Sequence, residues 1–415
     1  VREAVDTLLG LVNEVTGSVD TLDRTAHLVP AMLGQDGPRN TLLLVQNNAE
    51  LRASGGVSGA LVLIRADAGR IEMVKQASTI DFNPPFDEPV LPLDEATHAL
   101  FGDKPGQYIQ DVNLLPWFDV SGELAKAMWE SRMGDTVDAV VAVDPVLLSY
   151  LLDATGSVNV GEVTLSAENA VSLLLSETYV RFPDPRDQDQ FFAAAAQAVF
   201  GAVTDGKVEA RALVESLVRA GGEGRIRIWN ARPEEQLYVE GTTLSGVLPS
   251  DNVGGSRLGV YFNDATGAKM DYYLGTEVKV ASGMCRADGR PSFQVTVVLE
   301  NTAPLDAAES LPEYVTGGGE YGVAPGRVAT VVTVYGPVGS EPQGVTYGNS
   351  IEHAIAQMAT DRGRPAVMVP TELGPGESVT LVYSFLGEKR ERGALTVDVT
   401  PTLYVTETQH RSLNC

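Results

Sequence analysis

The apolar residues of this chain change their period partway along it, and that switch limits what the chain can fold into. From Thr41 to about Pro249, short aliphatic runs suited to buried strands alternate with segments whose apolar residues recur at helical spacing; beyond Ser250 almost only short strand-like runs remain. Alternation of strand and helix predicts an α/β fold, a three-layer α/β/α sandwich over 41–250. The strand-rich half predicts a C-terminal β-sandwich, Ig-like, over 251–415.

Within the first half, TLLLVQ, VSGALVLIR and GRIEMVKQAS read as three strands, the last two joined by a tight turn at Asp67-Ala68-Gly69. SGELAKAMWESRM, PVLLSYLLDAT behind Pro145, LSAENAVSLLLS, DQDQFFAAAAQAVFGAV and KVEARALVESLVRA read as helices, VDAVVAVD and RIRIWN as strands. In the second half VYFND, YYLGTEVKVA, FQVTVVLEN, VATVVTVYG, SVTLVYSFL and LTVDVTP read as strands, and SIEHAIAQMA reads as the one helix. Residues 1–40 form a helical lead-in, with Leu8, Leu9, Val12, Val15 and Leu22 at helical spacing. Because the sequence opens at Val1 inside that pattern, an upstream segment is expected.

Charge and motif content remove several functions. With 30 Lys and Arg against 55 Asp and Glu, a formal charge of −25, the chain lacks the cationic surface that phosphate-backbone binding needs, so no nucleic-acid partner is expected. The four histidines (His27, His98, His353, His410) are scattered, and HExxH, Walker and GxSxG motifs are missing. Metal hydrolysis and serine-triad chemistry therefore have no signature, and no metal ligands are expected. The two cysteines, Cys285 and Cys415, show no CxxC spacing and no nearby histidine; a disulfide between them is expected, which fits an oxidising, extracytoplasmic compartment.

Polar residues concentrate in four places. QNNAELRASGG packs Asn47, Asn48, Glu50 and Arg52 into six residues before Gly55 and Gly56, where the backbone can turn sharply or approach a ligand; the alternative is a self-bonded Asn-rich turn. In ASTIDFNPPF, Asp81 lies at the end of the third strand. Facing Glu50, it would complete a carboxylate pair for glycosyl transfer; alone, it would cap a turn. DVNLLPWFD sets Trp117 beside Asp111 and Asn113, a sugar platform if the ring is exposed and a core anchor if it is not. ETYVRFPDPRDQDQFF brings Arg181 and Gln190 to a helix start that favours anions, or else forms a solvated first turn.

QNNAELRASGG, DVNLLPWF, VDAVVAVDPVLLSYLLDATGSV and YVRFPDPRDQDQFFAAA, in that order, resemble a bacterial domain-of-unknown-function family related to the LytR-CpsA-Psr cell-envelope proteins, over roughly 41 to 230. The resemblance implies an α/β/α sandwich on the outer face of the membrane, usually tethered by an N-terminal transmembrane helix. It also implies transfer of lipid-pyrophosphate-linked glycopolymers to peptidoglycan, with Mg²⁺ and an arginine cluster handling the pyrophosphate. Here the regions of the family's RSD and PRD motifs read SGGVSG and ASTIDF, without those arginines. Asp81 stands near the acidic position of the second motif, while Glu50, Arg52, Asn113 and Arg181 match the polar pocket.

Three expectations follow. The leading one is an enzyme that cleaves or transfers glycosidic bonds of cell-wall polysaccharide through Glu50 and Asp81 without a cofactor, on arabinan or galactan if the Gly and Ala richness marks an actinobacterial envelope. The alternative is LytR-CpsA-Psr-type phosphotransfer, with Arg52 and Arg181 on the pyrophosphate and Asp81 on Mg²⁺. The third is a non-catalytic envelope glycan-binding protein whose β-sandwich supplies the interaction surface. In each the partner is cell-wall polysaccharide and the location extracytoplasmic.

Overall fold

A computed structural model of the chain describes residues 19–204, 208–284, 286–389, 393–406 and 408–413. They form two compact units, one from 19–47, 54–92 and 103–247, the other from 48–53, 93–102 and 248–413.

The first unit is built on the strands β1 (Arg39–Asn47), β2 (Val57–Asp67), β3 (Arg70–Ser78), β4 (Ala139–Val143) and, after a small hairpin of β5 (Val158–Val160) and β6 (Val163–Leu165), β7 (Arg227–Asn230). The main sheet has the order β3-β2-β1-β4-β7, with β1 and β4 parallel and the other neighbours antiparallel. Ala68 and Gly69 take φ of 48° and 83°, the mirror-image turn that matches the twist of a two-residue hairpin.

Five long helices accompany this sheet: α1 (Val19–Met32), α2 (Phe118–Met133), α3 (Pro145–Thr155), α4 (Pro185–Thr204) and α5 (Ala210–Gly222). One sheet face, Leu43, Val45, Val141, Val143 and Ile228, packs on Leu147, Tyr150 and Leu151 of α3 and Ala220 of α5. The other face meets α2, where Gly122 lies so close to Trp229 that a Cβ would stand 2.7 Å from the indole. Helices on both faces make the three-layer sandwich expected from the alternating sequence. Asp144 starts α3 by accepting the Leu147 N–H at 2.8 Å, with Pro145 at the first helical position; its other oxygen takes the fully buried Arg225 guanidinium at 2.7 Å. Removing one member of such a pair strands a buried charge, a cost of about 3–5 kcal/mol.

The lead-in residues Leu8, Leu9, Val12 and Val15 lie outside the described residues, as do Cys285 and Cys415 of the expected disulfide. LSAENAVSLLLS is not one simple helix. Its first residue ends β6, and the helical part passes through a π-helical turn at Leu173–Glu177 before closing as Thr178–Arg181. Among the described residues no helix is long and apolar enough to cross a membrane.

In the second unit ten strands follow: β8 (Gly255–Asp264), β9 (Leu274–Gly283), β10 (Ser292–Asn301), β11 (Val328–Tyr335), β12 (Glu341–Tyr347), β13 (Gln357–Asp361), β14 (Arg364–Leu373), β15 (Ser378–Leu386), β16 (Ala394–Val399) and β17 (Thr408–Ser412). They form two five-stranded sheets, β12-β15-β10-β9-β17 and β13-β14-β11-β8-β16. Alternate residues of β10, Phe293, Val295, Val297 and Leu299, are buried, as the two-residue strand period requires, and the Tyr383 hydroxyl of β15 donates to the Val332 carbonyl of β11 in the opposite sheet. The C-terminal β-sandwich is thus present, but it is not the purely antiparallel Ig arrangement. β16 joins β8, and β17 joins β9, in parallel.

SIEHAIAQMA is not the expected helix. His353 bridges to Thr346 and the stretch then enters β13, while Ile351 and Ile355 are 94% and 89% exposed. Helical spacing of apolar residues stabilises a helix only where that stripe can be buried, and here it is not.

Candidate functional site

At the carboxyl end of β1 the ladder with β2 slips by one residue between Val45 and Gln46, and the side chains beyond it turn into a polar cluster. Gln46 donates through Nε2 to Ser54 Oγ at 2.8 Å, and Asn47 through Nδ2 to the Tyr179 hydroxyl at 2.8 Å. Gly56, beside the Val57 that pairs with Asn47, accepts the Asn113 Nδ2 at 2.6 Å. Gly55 carries a φ of 145°, a conformation open to glycine and strained for other residues.

Tyr179 reaches this cluster from the helical turn Thr178–Arg181, directly after the π-helical segment, where the Thr178 hydroxyl donates to the Leu173 carbonyl at 2.6 Å. Such widened turns recur at functional sites. Arg181, two residues on, is exposed and paired with Glu177 at 2.9 Å. Gln190 is exposed on α4, and Asp111 lies in the short turn Ile109–Asp111. The cluster therefore has a part-exposed amide, Asn47, backed by the buried Gln46, Asn113 and Tyr179, with one solvent-facing guanidinium. These groups suit hydroxyls and phosphate oxygens, and no base–nucleophile pair stands among them.

The stretch Asn48 to Ala53, expected in the α/β domain, belongs instead to the second unit. Ala49, Leu51 and Ala53 are buried, and the backbone is held at almost every step. Leu51 N–H donates to Asp271 Oδ2 at 2.7 Å, the Leu51 carbonyl accepts Asp264 N–H at 2.8 Å, and the Ala49 carbonyl accepts Asp271 N–H at 3.1 Å. Ala53 N–H donates to Asn263 Oδ1 at 2.9 Å, its carbonyl accepts the Thr400 hydroxyl at 2.9 Å, and Asn48 Nδ2 donates to the Pro401 carbonyl at 3.1 Å. Arg52 donates to the Leu51 carbonyl at 2.9 Å.

Glu50 and Arg52 of this stretch meet three charged groups from elsewhere in the second unit, Lys269, Asp264 and Asp271. Glu50 forms an ion pair with Lys269. Burial alone would raise its pKa, but the Lys269 ammonium and Arg52 outweigh burial and hold it below the usual carboxylate value. Asp264 goes the other way, pushed up to about 6 by burial and by the Glu50 charge against the pull of Arg52. Asp271 is raised well above the ordinary value by burial and then by Asp264, and its Oδ1 has no hydrogen-bond partner among the described residues.

Asp81 remains in the first unit, exposed, with Oδ2 accepting the Ser78 N–H at 2.8 Å as the cap of the turn Thr79–Phe82. Glu50 and Asp81 thus belong to different units, each with partners of its own. Trp117 is 1% exposed and anchors the core, so it is no sugar platform. Among the described residues no group of three or more His, Cys, Asp or Glu could hold a metal ion. Sequence reading missed Ser54, Tyr179, Lys269, Asp264 and Asp271; Ser54 and Tyr179 carried a signal, the one lying within QNNAELRASGG and the other two residues before Arg181.

No curated protein matches the chain in sequence. Among solved structures it is similar to the protein gbs0355 from Streptococcus agalactiae, at 11% identity over 52% of this chain and 76% of that one, with a TM-score of 0.36. It is also similar to the transcriptional regulator yvhJ from Bacillus subtilis (13%, 50% and 79%, TM-score 0.28) and to B. subtilis TagU (14%, 49% and 80%, TM-score 0.26). Residues 36–179 match the family described as "Protein of unknown function (DUF4012)", a span that runs from just before β1 to Tyr179 and so takes in the strand-end cluster apart from Arg181.

Proposed function

We propose that this chain is an extracytoplasmic cell-envelope enzyme of the LytR-CpsA-Psr type, which transfers a lipid-pyrophosphate-linked glycopolymer to a cell-wall acceptor through its first unit. The observation that supports this reading is the cluster at the carboxyl end of β1, where Asn47, Tyr179 and Asn113 gather beside Gly55 and Gly56 with Arg181 exposed nearby. The guanidinium exchanges Glu177 for phosphate oxygens, and the Asn47 amide, held by Tyr179, orients the glycan. In the transfer the acceptor hydroxyl oxygen forms a bond to phosphorus, the bridging P–O bond of the pyrophosphate breaks, lipid phosphate leaves, and the hydroxyl proton passes to solvent. The Mg²⁺ that the family resemblance implies finds no fitting ligand group among the described residues, with Asp81 bound into its turn, so no step is assigned to it.

A second reading is favoured by a different observation: in the second unit Glu50 is held ionised while Asp264 is pushed up to about 6. Carboxyls driven apart in this way can divide nucleophile and acid roles, as glycosidic-bond cleavage or transfer requires. In this reading Asp264, not Asp81, partners Glu50.

One assay separates the two. The chain is incubated with a lipid-pyrophosphate-linked glycan plus peptidoglycan, and separately with arabinan and galactan, each with and without EDTA, and products are followed by mass spectrometry. Phosphotransfer predicts a glycan–phosphate–peptidoglycan product that Arg181→Ala or Asn47→Ala lowers by about tenfold or more in kcat/KM, with Glu50→Gln nearly silent. Oligosaccharides released from arabinan or galactan and abolished by Glu50→Gln would replace it with the glycosidic reading. Binding without any product would leave a glycan-binding protein.

A further inference from the structure

The segment Glu313 to Gly322, EYVTGGGEYG, carries two tyrosines around three consecutive glycines, and neither proposed reaction uses it. After the short turn Glu313–Thr316, Gly317, Gly318 and Gly319 take φ of 74°, 57° and 86°, and Gly322 takes 88°. All four lie in the left-handed region, where glycine is least strained. This backbone folds the loop onto the turn between β8 and β9. A Cβ on Gly317 would stand 2.9 Å from Ala268 Cβ, and one on Gly267 would stand 2.6 Å from the Tyr321 ring. The Tyr321 side chain thus packs closely on Gly267 while remaining 68% exposed. Tyr314, 45% exposed, covers the next residue but one, with its ring centre 4.6 Å from Lys269 Nζ.

We propose that the surface made by Tyr321 and Tyr314, above the largely buried Lys269–Glu50 pair, binds a neutral oligosaccharide. Two solvent-facing rings are placed over one short turn, with the exposed carboxylates of Glu313 and Glu320 in the same segment as acceptors for sugar hydroxyls. A sugar ring presents the matching pair of surfaces, C–H groups on its face and hydroxyls on its rim. Glu313 and Glu320 flank the rings, and Glu50 lies against Lys269 and near Arg52, so ionised carboxylates outnumber cations. That balance disfavours phosphorylated or carboxylated glycans and selects for uncharged ones. The site lies wholly within the second unit and does not rest on the phosphotransfer reading. It would hold whether or not Glu50 also acts chemically.

The test is calorimetric titration of the whole chain with three uncharged tetrasaccharides, α-1,5-arabinotetraose, cellotetraose and chitotetraose. At least one is expected to bind with a Kd of about 1 mM or tighter. Tyr321→Ala and Tyr314→Ala should each weaken that binding by about fivefold or more, whereas Tyr321→Phe, which keeps the ring, should retain it. The bound sugar should also protect Tyr321 from nitration in the unmodified chain, a readout independent of how the alanine variants fold. Failure of all three sugars at about 10 mM, or binding that both alanine variants and nitration leave untouched, would overturn the proposal.

Discussion

At Asp264 two backbone N–H groups, from Thr266 and Gly267, already bond the carboxylate at 2.8 and 2.9 Å, yet burial beside Glu50 still pushes its pKa up to about 6. A carboxyl whose folded value lies above its unfolded value of 3.8 binds more protons folded than unfolded between the two. Its contribution to stability therefore grows as pH falls through that window and is lost as pH rises past about 6. Asp271 adds in the same direction. Glu50, lowered by Lys269, works oppositely. Its contribution is present above the model-peptide value of 4.5 and fades as pH falls below it. The second unit should accordingly melt at higher temperature near pH 5 than at about pH 7.5, with a turnover under about pH 4.5. Calorimetry across that range checks it, and Asp264→Asn should flatten the rise; an unchanged slope in that variant would assign it to other groups.

Among the elements, the hairpin of β2 and β3 was legible because Asp67-Ala68-Gly69 marks a turn between two aliphatic runs, and its cost is legible too. Ala68 holds a φ of 48°, which an alanine reaches only under strain. Ala68→Asn gives the Asn-Gly pair favoured in this turn and should stabilise the first unit by roughly 0.5–1 kcal/mol, read from the denaturant midpoint. Other elements were hidden by physical features of their sequences. Pro365 and Pro370 argue against a strand, yet both sit in β14, paired with Thr360 and Val331. In β12 the register shift between Pro342 and Gly344 breaks the two-residue alternation by which a strand is read. The candidate site divides in the same way. Asn47, Asn113 and Gly56 were found because polar residues at a strand end are unusual, whereas the ion-pair partner of Glu50, Lys269, lies more than two hundred positions away and left no local trace.

Taken as a whole, the chain does not fill its units in order: residues 48–53 and 93–102 belong with 248–415. The second of these segments contributes the short helix Glu95–Phe101, capped by Asp94 and bonded through the Ala99 carbonyl to Gln357 at 2.7 Å. A fragment spanning 248–415 therefore lacks the carbonyls of Ala49 and Leu51, the N–H groups of Leu51 and Ala53, and the Glu50 carboxylate that pairs with Lys269. It should melt well below the corresponding transition of the whole chain, and a synthetic peptide of residues 46–56 added in trans should recover part of the loss. Equal midpoints for fragment and whole chain would show that the inserted strand-to-strand segment contributes little. This threading also bears on heredity. A gene cut at the codon for Leu248 would separate the sandwich from six residues of its own interior, so the two units cannot be exchanged between proteins as cassettes and are expected to descend together.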